Sequence, residues 1–265
     1  MLIATDGAEF DVRDEGRGPA LVLLHGFPLA KEIWDAQAAA LAGVARIVRF
    51  DLRGLGSTTV TPGPYLMEQL AGDLVEILDA LQIERAVIAG HSLGGYVALA
   101  FFRMFSERCA GLGLINSRVS ADTPGQAAGR LELAARAERE GMAPIVEAFL
   151  PRFFAPGFAQ RSPELAARAE AIVARTDPRG AAAMLRGMAA RVPSDDLFDE
   201  LTLPVALVAG SHDAIISLEE TRATARALSD ATLEVLECGH SPWYEAPDAL
   251  NAALQRLLER VASRV

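Results

Sequence analysis

Gly90-His91-Ser92-Leu93-Gly94 sets a serine between glycines two positions before and two after it. The stretch follows an apolar run, Ala86 to Ala89, and precedes Gly95-Tyr-Val-Ala-Leu-Ala100, a plausible helix. Strand, sharp turn and helix in that order hold a hydroxyl above a sheet edge, and the glycines leave room for a strained backbone. The amino-terminal dipole of the helix favours negative charge beside the serine. A hydroxyl is a poor nucleophile until a base removes its proton, and that base needs an orienting acid. The chain offers His25, His91, His212 and His240. His91 neighbours the serine on the turn, where its side chain is expected to point away. His25 opens His25-Gly26-Phe27-Pro28, His212 adjoins Asp213, and His240 lies in Cys238-Gly239-His240-Ser241. Each histidine follows a predicted strand, at the carboxyl edge where open α/β sheets build their sites. Asp213, after the run Val205 to Gly210, is the acid placed to serve His240.

The elements that must position these groups are legible as short apolar runs near Gly or Pro. They are Leu21 to Leu24, Ile47-Val48, Ala86 to Ala89, Leu112 to Ile115 and Val205 to Ala209, with Thr232 to Leu236 a further candidate strand. Most fit strands buried on both faces of a parallel sheet. Leu66, Leu70, Leu74, Ile77, Leu78 and Leu81 repeat at helical spacing, with Glu68, Asp73, Glu76 and Asp79 interleaved. Leu250, Leu254, Leu257, Leu258 and Val261 do the same after Pro247. The first fourteen residues read as an antiparallel hairpin on the sheet edge. Alternating strand and helix predicts an α/β fold. Between about Val119 and Glu200 the alternation stops, and an Ala-, Arg- and Glu-rich stretch reads as about four helices inserted between two strands. Ser162-Pro163 and Asp177-Pro178 each set a capping side chain before a proline at a helix start. The division expected is a core of residues 1–118 and 201–265, with a helical cap or lid of residues 119–200.

Composition narrows the function classes. With 51% hydrophobic and 23% charged residues, the chain is an ordinary globular one and not a disordered tail. A net charge of −10 disfavours nucleic acid and anionic lipid as partners. Two cysteines 129 positions apart exclude a disulfide framework or a cysteine-rich zinc site. No apolar run approaches a membrane span, and the amino terminus lacks a signal-peptide pattern. A cytoplasmic enzyme without membrane contact is expected, with no metal and no nucleotide cofactor, since neither GxGxxG nor a Walker pattern occurs.

Over essentially its whole length the sequence resembles the α/β-hydrolase-fold enzymes. The resemblance rests on His25-Gly-Phe-Pro28 with Trp34, Asp51-Leu-Arg-Gly-Leu-Gly-Ser57, Gly90-His-Ser-Leu-Gly-Gly95, Gly210-Ser-His-Asp213 and Gly239-His240. The order Ser92, Asp213, His240 is the one expected of that fold. Within the superfamily the chain is most similar to small carboxylesterases and 3-oxoadipate enol-lactonase-like hydrolases. The resemblance implies a mostly parallel eight-stranded sheet flanked by helices, with the inserted lid. It implies Ser92 as nucleophile, His240 as general base and acid, Asp213 as orienting carboxylate, and the backbone N–H groups of Phe27 and Leu93 as the oxyanion hole. His25 would brace the oxyanion loop, and Asp51, Arg53 and Gly54 a structural turn. Some relatives carry their acid after the preceding strand, where this chain has Asn116-Ser117 and no carboxylate.

The activity implied is cleavage of a small ester or lactone through an acyl-enzyme. A C–C bond hydrolase, a thioesterase or a cofactor-free perhydrolase would use the same triad, and a non-catalytic small-ligand receptor shares the fold. In the lid, Phe149, Phe153, Phe154, Met184 and Met188 are expected to roof the substrate pocket, with Phe158 close by. Arg152 and Arg186 are the basic residues placed to meet a substrate carboxylate.

Overall fold

The structure, a computed structural model, describes residues 1–5 and 7–264. Eight strands form one sheet: β1 (Leu2–Thr5), β2 (Ala8–Gly16), β3 (Ala20–Leu24), β4 (Arg46–Phe50), β5 (Ala86–His91), β6 (Cys109–Ile115), β7 (Val205–Gly210) and β8 (Ala231–Leu236). Their order is β1-β2-β4-β3-β5-β6-β7-β8. β1 and β2 pair antiparallel, as do β2 and β4, while every other pairing is parallel. This is the α/β-hydrolase sheet, with the expected hairpin on its edge. β5 and β7 are buried along their whole length. That is why they appear in sequence as unbroken apolar runs rather than as alternation.

Helices α1 (Asp35–Leu41), α2 (Met67–Ala80) and α3 (Leu93–Met104) precede β6. The stripe predicted over 66–81 is α2, with Leu70, Leu74, Ile77 and Leu78 fully buried. Asp73 does not join the solvent face expected of it. It is buried, and Arg53 donates to it from Nε at 2.9 Å and from Nη2 at 2.5 Å. A paired guanidinium satisfies both carboxylate oxygens, which is the condition for burying such a charge. The largest fully buried side chains include Trp34, Trp243, Tyr65, Phe10, Phe50 and Phe101. Burial stabilises each by about 1.5–3 kcal/mol or somewhat more for the larger rings.

The segment between β6 and β7 holds five α-helices rather than about four: α4 (Pro124–Glu140), α5 (Ala143–Phe149), α6 (Phe158–Arg161), α7 (Pro163–Ala174) and α8 (Pro178–Ala189). The additional helix is α6, a single turn too short to show periodicity. Both prolines singled out do begin helices. Asp177 caps α8 by accepting from Arg179 N–H at 2.8 Å, whereas Ser162 makes no side-chain cap bond. The helix start with the fullest cap is another: Thr123 and Gln126 form a reciprocal capping box on α4. α8 meets the core backbone to backbone. A Cβ at Gly180 would lie 1.9 Å from Gly54 O, and one at Gly187 would lie 1.6 Å from Tyr65 O.

After β7 come α9 (Leu218–Ala227), β8, the short α10 (Pro242–Glu245) and α11 (Pro247–Ala262). α11 packs on α1, β6 and β7, as its leucine stripe predicts. No helix among the described residues is long and apolar enough to cross a membrane.

Candidate functional site

The parallel strands end in register, so the residues that follow them gather along one edge. His91 pairs with Ile115 across β5 and β6, and Gly210 pairs with Leu236 across β7 and β8. Ser92 N–H continues the ladder to Ile115 O at 2.9 Å, and Asn116 N–H reaches Val208 O at 2.8 Å.

Ser92 is the turn between β5 and α3, at φ 49° and ψ −110°. That backbone is strained for a residue with a Cβ, and it persists because strand and helix fix both sides of it. The two glycines of the motif make the turn sterically possible. A Cβ at Gly90 would sit 2.1 Å from Gly94 C, and one at Gly94 would sit 2.3 Å from Leu24 O. Leu93 is the first residue of α3, where an N–H has no carbonyl one turn back. Phe27 stands on the loop after β3. Under that loop His25 is buried and neutral, because Nδ1 donates to Gly26 O at 2.9 Å while Nε2 accepts the Leu52 N–H at 2.9 Å.

His240 Nδ1 and Asp213 Oδ2 are 2.7 Å apart, with both side chains almost wholly buried. Asp213 is saturated with donors. Its Oδ1 accepts from Ile215 N–H at 2.7 Å and Ile216 N–H at 3.0 Å, and its Oδ2 also accepts from Asn116 Nδ2 at 2.6 Å. Burial by itself would raise the Asp213 carboxyl, but the attraction of His240 and these hydrogen bonds outweigh it and hold it below its ordinary value.

Ser92 and His240 line one cavity of about 230 Å³, together with Phe27, Phe149, Leu185 and Met188. Phe149 meets Phe27 edge-on at 5.3 Å, which brings the inserted segment onto the loop after β3. Of the five roof residues expected, Phe149 and Met188 line this cavity; Phe153, Phe154 and Met184 are not among its walls. Phe153 is fully buried and lies parallel to the His240 ring at 6.2 Å, Phe154 stacks on Phe158 at 4.9 Å, and Met184 faces the core. Arg152 lines the cavity, whereas Arg186 pairs with Glu138 on the surface. His212 is exposed and paired with Glu237, away from the cavity.

Three supports of this arrangement were not visible as such in sequence. Asn116 bridges the acid and the histidine loop, donating to Asp213 and to Gly239 O at 3.0 Å. The signal for it was its place at a strand end; what it does depends on the geometry. His91 does point away from the cavity, but its Nε2–H donates to the His240 carbonyl at 2.8 Å and its ring lies 4.6 Å from the His240 ring. Burial, then the nearness of His240, drives His91 well below its ordinary value and keeps it neutral. Glu245 accepts from Gly239 N–H at 2.9 Å and from Ala155 N–H at 2.8 Å, which ties the inserted segment to the histidine loop.

The chain is similar to known hydrolases. The model of the Alpha/beta hydrolase family matches residues 21–253. Among curated proteins, 3-oxoadipate enol-lactonase 2 of Acinetobacter baylyi is 28% identical over 261 residues, covering 97% of this chain and 94% of its own. Among solved structures, a thermophilic esterase from Thermogutta terrifontis, determined with malate bound, superposes with a TM-score of 0.94 at 36% identity, covering 98% of this chain and 97% of that one. The enol-lactonase from Burkholderia xenovorans LB400 gives a TM-score of 0.92 at 28% identity, covering 98% of this chain and all of that one (100%).

Proposed function

Because the chain belongs to the alpha/beta hydrolase family, and is a hydrolase, we propose that it cleaves a small carboxylic ester or lactone through an acyl-enzyme formed on Ser92. The observation that carries this reading is the shared cavity: a serine at φ 49° opens into the same space as a histidine whose Nδ1 is held by a fully bonded carboxylate. With Asp213 accepting a hydrogen bond from Nδ1–H, the lone pair of His240 lies on Nε2, the nitrogen that takes the Ser92 proton. Oγ then attacks the carbonyl carbon. The developing oxyanion is received by the N–H groups of Leu93 and Phe27, aided by the amino-terminal dipole of α3, each donor contributing about 2.7–4 kcal/mol to the transition state. His240 returns its proton to the leaving alkoxide. Water, deprotonated by the same nitrogen, then releases the acid. For a lactone the leaving oxygen stays tethered, and a single hydroxy acid departs.

The likeness to an esterase and to enol-lactonases supports an oxygen ester over a carbon–carbon bond as the substrate linkage. The test is covalent labelling by a fluorophosphonate together with turnover of para-nitrophenyl acetate. Labelling should vanish and kcat fall by about 10³-fold or more in Ser92→Ala, with KM little changed, since the groups act as one unit. A tenth of wild-type activity surviving in Ser92→Ala would overturn the assignment.

A further inference from the structure

Gly129 lies in the interior of α4, the sixth of its 17 residues. Glycine there weakens a helix relative to alanine, because the unfolded chain has more freedom to lose. Packing explains the glycines of α8, which meet core carbonyls, but it does not explain this one. A Cβ at Gly129 would find nothing within 4 Å. Its φ is not positive either, so no turn calls for it. What sets Gly129 apart is that it lines the cavity of Ser92 and His240.

Four residues of α4 line that cavity, Gln126, Gly129, Arg130 and Leu133, at the spacing of one helical face. Gln126 and Gly129 are exposed, as is Arg152 after α5, whereas Tyr96, Leu185 and Met188 are buried. The cavity therefore has a closed end between α3 and α8 and a mouth beside α4. The side chains flanking Gly129 on this face are drawn aside. The Gln126 amide oxygen accepts the Thr123 N–H in the capping box, and Arg130 donates from Nε to Asp122. At Gly129 the lip of the mouth is bare backbone.

We propose that Gly129 is a specificity-determining residue: it keeps the mouth open for the alcohol half of the ester, which extends past α4 while the acyl half occupies the closed end. The order of release assigns the halves. The alcohol departs first, and the acyl group stays on Ser92 until water arrives. An acyl group in the mouth would trap the alcohol behind it and bar the water. The cavity of about 230 Å³ then bounds the acyl group, while the alcohol is bounded only by the side chain at position 129. The inference rests on the Ser92 reading for the reaction and adds which half of the substrate is free to be large.

Two isomeric esters test it, followed by pH-stat with methyl acetate as the small reference. 2-Phenylethyl acetate carries its bulk on the alcohol side, and methyl 3-phenylpropionate carries the same bulk on the acyl side. In Gly129→Leu, kcat/KM for 2-phenylethyl acetate relative to methyl acetate should fall about tenfold or more. The ratio for methyl 3-phenylpropionate should stay within about twofold of wild type. Taking ratios removes any general damage to the fold. The added thiol of Gly129→Cys gives a reversible version, because Cys109 and Cys238 are wholly buried and benzyl methanethiosulfonate should modify the new thiol alone. That cap should lower the 2-phenylethyl ratio as leucine does, and dithiothreitol should restore it, which a damaged fold would not allow. Gly129→Ala should raise Tm by about 2–4 °C; no rise would show that α4 itself needs the glycine and would overturn the premise. Equal losses on both isomers, no loss, or a loss confined to methyl 3-phenylpropionate would overturn the proposal. A wild type that turns over no ester sinks the Ser92 reading and this inference with it. Turnover whose size preference ignores position 129 sinks this inference alone.

Discussion

Replacing Asp213 by asparagine changes one atom and, in this site, should strand the proton on the wrong nitrogen. The carboxylate accepts four hydrogen bonds, two on each oxygen. The Ile215 and Ile216 N–H groups belong to the backbone and cannot turn, so an amide must offer them its oxygen. Its NH2 then faces His240 Nδ1, which has to accept instead of donate. The imidazole proton moves to Nε2, and that nitrogen can no longer take the proton of Ser92. Asn116 relieves the remaining clash of donors by flipping its amide, since its Oδ1 has no partner, at the cost of its bond to Gly239 O. Loss of the competent tautomer in a triad costs about 10⁴-fold in kcat, or about 5.5 kcal/mol of transition-state stabilisation. Stability should fall less, by about 1–3 kcal/mol for the disturbed hydrogen bonds. The assay is kcat on para-nitrophenyl acetate beside a thermal melt. A folded Asp213→Asn enzyme within tenfold of wild type would refute the tautomer argument and the role given to Asp213.

Acid should weaken the fold well before the carboxylates titrate. Burial, the leading cause, sets His25 below its ordinary value and His91 well below. The unfolded chain takes up a proton on each near pH 6.5 and the folded chain does not. Stability present above that pH is therefore lost as pH falls towards the folded values, by about 1.4 kcal/mol per pH unit for each histidine. Urea midpoints unchanged between pH 7 and 5 would contradict this. Burial also pushes the Cys109 and Cys238 thiols up to about 12, so Ellman's reagent should leave the folded protein untouched and find both thiols in denaturant. A cavity of about 230 Å³ admits short acyl groups, so kcat/KM should gain at most about 0.8 kcal/mol per methylene and decline beyond about ten carbons. A palmitate ester outperforming a butyrate ester would contradict that cavity.

Strand-edge chemistry was legible because a strand buried on both faces is an apolar run with an abrupt end, and a side chain that follows it has one place to be. Ser92 and Asp213 follow such strands, whereas His240 follows β8, a partly exposed edge strand. The wall of the cavity was not legible to the same degree, because a helical side chain turns about 100° per residue. Met184 and Met188 lie one turn apart on α8, yet one packs into the core and the other reaches the cavity. Phe149 and Phe153 diverge in the same way where α5 gives way to a tighter turn. Asp73 shows a further limit, since the arginine that buries it is 20 residues distant and its spacing matched the polar face of α2.

The seams of the inserted segment bear on how its specificity can be changed. At one seam Glu245 grips residue 155 and residue 239 together; at the other, Gly180 and Gly187 lie against core carbonyls closer than any side chain allows. A transplanted insertion that lacks glycine at either position would press a methyl group into Gly54 or Tyr65 oxygen, a collision with backbone that no rotamer relieves. One that moves residue 155 would pull on the loop bearing His240. Wholesale exchange of the helices between β6 and β7 among relatives therefore demands matching residues at both seams. Point substitutions on the inward faces of α4, α5 and α8 carry no such demand, and they are the accessible route, for selection or for an engineer, to a new acyl group in an unchanged reaction centre.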